Sequence, residues 1–359
     1  MLSQATECKP VEDKQNGTTV IGDLTYEYNK AGNRTKIGGS WARTGMPEPI
    51  TTTSYDANNR QLTFGDKTLT YDDNGNLQSI TDSNGTTLYQ WNARNQLVGI
   101  SGPSVNASFV YDGLGRREKK TINGSLTEFL YDGVNPVQET AGATILANIL
   151  PGLGIDEFLT RTDIVSGATG NFLVDLLGSP VAVTDSSGAV QTEYTYESFG
   201  KTTTTGGSNN SSYQYTGREN DGTDLYYFRA RYYHPALQRF IAEDPIGFMS
   251  GDINLYFYLR NNPLNLKDPE GLAVPVALGL CFLDPACVAA LGVAATATGM
   301  AAGKLIESIS KQQRPPADVC PPSDPGDFLR FCIGACRSRF PDSFFKRQMC
   351  YLGCIMSAL

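Results

Sequence analysis

Aromatic residues at positions 71, 91, 111 and 131 recur every 20 residues, and each opens a similar short polar stretch. The units are Tyr71-Asp72-Asp73-Asn74-Gly75-Asn76-Leu77, Trp91-Asn92-Ala93-Arg94-Asn95-Gln96-Leu97, Tyr111-Asp112-Gly113-Leu114-Gly115-Arg116-Arg117 and Tyr131-Asp132-Gly133. Tyr55-Asp56-Ala57-Asn58-Asn59-Arg60-Gln61-Leu62 precedes them, and Tyr28-Asn29-Lys30-Ala31-Gly32-Asn33-Arg34 is a degenerate earlier copy. A fixed period of this size signals units that bury their faces against neighbours. Each unit reads as a β-hairpin: an aromatic strand end, then a turn in which Gly or Asn takes positive φ. The stretch 77–82 alternates apolar and polar positions, as a strand with one buried face does. The tyrosine ring covers the next hairpin while its hydroxyl stays in water or bonded.

Composition agrees. Only 18% of the 359 residues are charged, below the roughly 25% of ordinary globular domains, and 37 Gly and 18 Tyr fill the gap. A net charge of −8 argues against broad phosphate binding, so no nucleic-acid partner is expected. The single histidine, His234, excludes multi-histidine metal sites and leaves a Ser-His-Asp triad dependent on one residue. Residues 273–359 show no nuclease-like His or Asp/Glu cluster and no nucleotide-binding glycine loop, and no cofactor is expected. The start, Met1 to Glu7, lacks a basic stretch followed by an apolar one. Export, if it occurs, is therefore expected by a route independent of a signal peptide.

The Tyr-Asp-x-x-Gly-x-Leu units resemble the YD repeats of RHS (rearrangement hotspot) proteins and of the related toxin-complex C subunits. Residues 172–272 resemble the RHS repeat-associated core. They run through Phe172-Leu173-Val174-Asp175-Leu176-Leu177-Gly178-Ser179-Pro180-Val181, Tyr196-Glu197-Ser198-Phe199-Gly200 and Tyr227-Phe228-Arg229-Ala230-Arg231-Tyr232-Tyr233. Next come Arg239-Phe240-Ile241-Ala242-Glu243-Asp244-Pro245-Ile246-Gly247-Phe248 and Gly251-Asp252-Ile253-Asn254-Leu255-Tyr256-Phe257-Tyr258, and last Asp268-Pro269-Glu270-Gly271-Leu272. Leu176, His234 and Ser250 stand where the family pattern usually has His, Asp and Gly. The resemblance, over roughly residues 20–272, implies a mainly β fold, with YD-repeat hairpins wound into a curved sheet or partial β-shell; the residues beyond 272 are expected to form a small α-helical C-terminal tail. The expected segments are a poorly ordered leader (1–20), the repeat sheet (21–140), an apolar connector (141–171), the core (172–272), a hydrophobic helical segment (273–311), a Pro-rich linker (312–327) and a cysteine-bearing helical hairpin (328–359).

Two Asp-Pro dipeptides, Asp244-Pro245 and Asp268-Pro269, flank the tyrosine-rich stretch. Proline biases each Asp toward extended backbone. Two carboxyls that meet cannot both ionise easily, so one keeps its proton. Such a pair can hydrolyse a peptide: the ionised member takes a proton from water, and the neutral one protonates the leaving amine. The plain alternative is that both Asp residues cap turns. The resemblance implies an aspartyl self-protease in which Asp244 and Asp268 are the catalytic pair and Arg231 the supporting cation. It also implies a cut between Leu272 and Ala273 that frees a variable tail. Glu243 and Asp252 lie nearby in sequence without matching the family pair, and His234 is a lesser candidate as a general base.

Beyond residue 272 the composition changes. Residues 273–303 carry one charge, Asp284, and seven of the eight cysteines lie past residue 280. The neutral run 286–303 is about the shortest that spans a bilayer; it is read as a buried or encapsulated helix, with membrane contact as the other reading. Cys281 and Cys287 are close enough in sequence for a short bond around Asp284-Pro285. Cys332 and Cys336 form one Cys-x3-Cys pair, Cys350 and Cys354 another. An antiparallel helical hairpin would join Cys332 to Cys354 and Cys336 to Cys350. A zinc site of four thiolates and free packed thiols are the competing readings. The whole is expected to be a bacterial RHS-type toxin or secretion protein, secreted or at the cell surface and otherwise cytoplasmic. Its own tail is the expected substrate, and an immunity protein or secretion carrier is the expected partner. The competing expectation is a non-enzymatic β-repeat scaffold, or the truncated end of a longer RHS protein with an inactive core.

Overall fold

The computed structural model describes residues 6–7, 11–15, 19–29, 33–207 and 209–272. Sixteen strands, from Thr53–Tyr55 to Thr202–Gly206, follow one another in antiparallel register. Thr44–Gly45, just upstream of the first of them, pairs in parallel with Val190–Glu197, Tyr196 lying opposite Thr44. The sheet therefore curls until its beginning and end meet. The fold is mainly β, as the repeat implied.

The turns follow from the Asp. In Asp72–Asn76 the Asp72 Oδ1 accepts from the N–H groups of Asn74 and Asn76, at 2.9 and 2.8 Å. Asp112 does the same for Leu114 and Arg116, and Asn92 for Arg94 and Gln96. The residue three positions on must take positive φ, hence Gly75 at 78°, Asn95 at 56° and Gly115 at 83°. Each aromatic hydroxyl or indole then reaches back one unit. Trp91 Nε1 donates to the Leu77 carbonyl at 2.7 Å, Tyr111 to Leu97 at 2.6 Å and Tyr131 to Arg117 at 2.8 Å. These bonds lock successive hairpins in phase, each contributing about 1 kcal/mol.

The concave face is filled by the later part of the same chain. Glu219–Asn220, Tyr226–Phe228, Arg231–His234 and Arg239–Phe240 form a small antiparallel sheet. Because side chains alternate along a strand, one face of it sends Tyr227 and Tyr232 against Leu69, Leu77, Ile80, Tyr89, Leu97 and Phe109 of the repeats. The other face sends Tyr226, Phe228 and Tyr233 into an aromatic cluster with Tyr215, Phe240 and Tyr258. Rings there meet edge to face, Phe228 and Phe240 at 84°.

Arg117 fastens this inner sheet to the repeats. It is fully buried and pairs with Glu219 at 2.5 Å and with Asp221 through both carboxylate oxygens. Lys120 reaches Asp221 at 2.9 Å. The Arg117 guanidinium lies 4.2 Å from the centre of the Tyr227 ring.

Two segments whose form was open in the sequence carry strands. Residues 141–171, read as a connector, carry Thr144–Pro151 and Phe158–Asp163, which continue the ladder. Their turns lack the Tyr-Asp signature, so the periodicity hides them. Within 1–20, Val11–Gln15 is a strand. Ala273, the segment 286–303, Cys281, Cys287, Cys332, Cys336, Cys350 and Cys354 lie outside the described residues. Among the described residues no helix is long and apolar enough to cross a membrane.

Candidate aspartyl-pair site

Arg231 begins the third strand of the small sheet and points away from the repeats. Its guanidinium stacks 3.6 Å from the centre of the Phe240 ring. Nη2 lies 3.0 Å from Asp244 Oδ2 and 3.8 Å from Asp268 Oδ2. Nε donates to the Gly271 carbonyl at 2.6 Å and Nη1 to the Leu255 carbonyl at 3.0 Å. All three side chains are at most 4% exposed. The structure thus brings together the three residues singled out in the sequence, although they span 37 positions.

Each carboxylate is held by backbone. Asp244 donates its N–H to Leu255 O and accepts from Ile246 N at 3.1 Å, so it also caps the Pro245 turn. Asp268 Oδ1 accepts from Leu272 N at 3.1 Å, tying the carboxyl to the residue that precedes the expected cut. Gly271 has φ +67°, and a Cβ there would collide with the Phe228 carbonyl oxygen. That clash explains the glycine in Asp268-Pro269-Glu270-Gly271-Leu272. Gly271→Ala is expected to push the segment out of place, lowering stability by about 2 kcal/mol and exposing the Leu272 amide to hydrogen exchange. Unchanged exchange at Leu272 would contradict this.

Burial pushes the Asp268 carboxyl up to about 7, with the Asp244 charge adding to it; Arg231 and the Leu272 N–H pull the other way. Burial also brings Arg231 down to about 10, against the pull of both carboxylates, which still leaves it charged at neutral pH. A carboxyl raised to about 7, facing a second carboxyl across a common cation, suits the proton exchange that acid–base hydrolysis needs. A cavity of about 20 Å³, with room for roughly one water, is lined by Asp244, Asp268, Asp252, Asn254 and Leu259.

The lesser candidates separate. Asp252 shares this cavity but binds Asn254 N and faces Arg260 at 3.8 Å. Glu243 turns to the Gly75 hairpin, near Tyr256 OH. His234 lines a different cavity, of about 260 Å³, beside Lys67, Tyr89 and Asp224. Burial depresses it to about 4, the nearby Asp224 opposing and Lys67 adding, so it is neutral at physiological pH. Sequence reasoning missed the Leu255 carbonyl and the Phe240 ring. A backbone contact has no residue signature, and Phe240 looked like one of many aromatics.

A family model described as Teneurin YD-shell matches residues 18–264. The chain is 30% identical over 272 residues to the tRNA3(Ser)-specific nuclease WapA of Bacillus spizizenii, covering 72% of this chain and 11% of that protein. It is 29% identical over 266 residues to the Double-stranded DNA deaminase toxin A of Burkholderia cenocepacia, covering 63% and 18%. With the toxin subunit YenC2 of Yersinia entomophaga it shares 50% identity over 60 residues, 17% of this chain and 6% of that one. It therefore spans less than a fifth of the length of each of these relatives. The Tc holotoxin pore of Photorhabdus luminescens shares its fold, with a TM-score of 0.52 at 21% identity over 73% of this chain and 17% of that one.

Proposed function

Because the chain belongs to the YD-shell family, we propose that its inner sheet is a single-turnover aspartyl self-protease. It cuts the Leu272–Ala273 bond and frees the tail of a bacterial toxin-type protein. The observation that carries this reading is the tie between Asp268 and the Leu272 amide, within reach of the Arg231 cation that also faces Asp244. Asp244, closest to Arg231, is the base. It takes a proton from water, whose oxygen bonds to the Leu272 carbonyl carbon. Neutral Asp268 polarises the carbonyl and gives its proton to the Ala273 nitrogen as the C–N bond breaks. The products are a Leu272 carboxylate and a free Ala273 amine.

Burial and charge support the roles. Asp244 makes a charge-assisted contact with Arg231 at 3.0 Å, and Asp268 near 7 donates and accepts with little cost at neutral pH. The toxin names of the relatives favour a tail that acts on another cell, an immunity protein or carrier as partner, and a secreted or surface location. The second reading is a structural scaffold, favoured by the way Asp244 also caps its own turn. Intact-mass measurement of the purified full chain decides: two fragments split after Leu272 are expected. An uncut, folded chain after prolonged incubation at pH 6–7 would overturn the proposal.

A further inference from the structure

The turn that joins Tyr226–Phe228 to Arg231–His234 meets the segment before Leu272 one residue at a time. Arg229 donates through Nη1 to the Pro269 carbonyl. Ala230 N donates to the Glu270 carbonyl at 3.2 Å. Arg231 Nε donates to the Gly271 carbonyl at 2.6 Å. Three consecutive donors hold three consecutive carbonyls, and the Phe228 carbonyl walls off the Gly271 Cα. All three bonds go to main-chain oxygens, and position 271 is in addition restricted to glycine.

Arg229 differs from its two neighbours in what stands behind it. Its guanidinium grips Asp156 with both arms, Nη2 to Oδ1 at 2.6 Å and Nη1 to Oδ2 at 3.0 Å. Asp156 is buried, sits at φ +62° in the turn before Phe158–Asp163, and also takes Arg218 at 2.6 Å. Its own N–H is held by Asn135 Oδ1 at 3.0 Å. Arg229 reaches the Val134 carbonyl of that same neighbouring turn at 3.3 Å. The repeat sheet, through Asp156, thus fixes the cation that fixes Pro269. A planar fork is suited to bridging two fixed acceptors in this way, whereas a lysine presents only a point charge.

We infer that Arg229, oriented by Asp156, is a positioning residue for cleavage at Leu272. It sets the register of residues 269–271 against Arg231 without touching either carboxyl. This rests on the self-protease reading above and deepens it. Holding the reacting group in place is worth large factors in rate, and small misplacements cost about 100-fold.

The test uses the full-length chain made in a cell-free reaction, with the cut fraction followed over time at several pH values, for wild type, Arg229→Gln and Arg229→Lys. Arg229→Gln is expected to slow cleavage by about 10- to 100-fold with no shift in the pH midpoint, because it does not contact Asp244 or Asp268. Arg229→Lys is expected to restore part of the rate. In parallel, hydrogen exchange at the Ala230 and Leu272 amides should speed in Arg229→Gln while Tyr232 and Tyr233 stay protected, which marks local release rather than unfolding. A wild-type rate in folded Arg229→Gln overturns the inference, as does a shifted pH midpoint. If the wild type itself stays uncut, the protease reading fails; the clamp is then judged by exchange alone, and unchanged protection at Ala230 and Leu272 overturns it.

Discussion

Asp268→Asn is expected to leave the chain uncut and, separately, to relieve a burden on folding that grows with pH. The two effects share a cause. A carboxyl that titrates near 4 in an unfolded chain and near 7 when buried keeps its proton in the folded state while the unfolded state loses it. From about pH 4 to 7 the unfolded state therefore binds fewer protons, and stability falls as pH rises across that window. The upper limit is about 4 kcal/mol for a shift of three units. The asparagine has no proton to lose. An uncut reference is needed, so the comparison is Asp244→Asn against Asp244→Asn with Asp268→Asn, by denaturant midpoint between pH 4 and 8. In that background the Asp244 charge that helps to raise Asp268 is gone, so the difference shrinks but keeps its sign. The wild-type cleavage rate should fall about tenfold per pH unit above 7, following the neutral fraction of Asp268. Rapid cleavage by Asp268→Asn, or pH curves that run parallel, would contradict this account.

Arg117→Met is expected to cost about 3–5 kcal/mol, the range for removing one partner from a buried ion pair. Burial by itself pushes the Asp221 carboxyl up; Arg117 and then Lys120 override it and hold it below the ordinary carboxylate value. With Arg117 gone, Glu219 and Asp221 share only Lys120, at 3.4 and 2.9 Å. Asp221 contributes stability above its unfolded pKa and loses it as pH falls through the depressed folded value, so the wild type should weaken in acid more than a neutral replacement does. The triple variant Arg117→Met, Glu219→Gln, Asp221→Asn removes all three charges and should recover much of the loss. The check is urea unfolding at pH 7 followed by Trp91, which is hydrogen-bonded inside the repeat sheet. A single-variant loss under about 1 kcal/mol would mean the network is solvated and of small weight.

What was legible in the sequence divides along the range of the interactions. The turns at Asp72, Asn92 and Asp112 were readable because the Asp or Asn side chain caps its own backbone two and four residues on, an arrangement written within five positions. The brace from Tyr111 to Leu97 was half readable: the hydroxyl had to be wet or bonded, but its partner lies in the preceding hairpin. The strands within residues 141–171 were not legible because their turns use other chemistry, such as the buried Asp156. Arg117 was unremarked, since its acidic partners stand 102 and 104 positions away and a charged residue on a repeat strand normally faces solvent. Asp244 and Asp268 were found only through the long motif around them. Spacing alone gave two turn-forming Asp-Pro pairs, and Asp244 is indeed one as well.

The order of assembly along the chain sets a clock. Arg239 binds the Asn59 carbonyl and Tyr256 the Gly75 carbonyl, across 180 and 181 residues. At about 5–20 residues per second of synthesis, the hairpins that receive these contacts emerge roughly 10 to 40 seconds before the residues that fill them. Until then the apolar concave face stands empty, a ready surface for a chaperone. Asp268 and Leu272 follow every hairpin of the sheet along the chain, so the proposed self-cleavage could not begin before all of those hairpins have been made. A ribosome stalled just short of residue 268 would carry every hairpin of the sheet but lack the second carboxyl of the proposed pair.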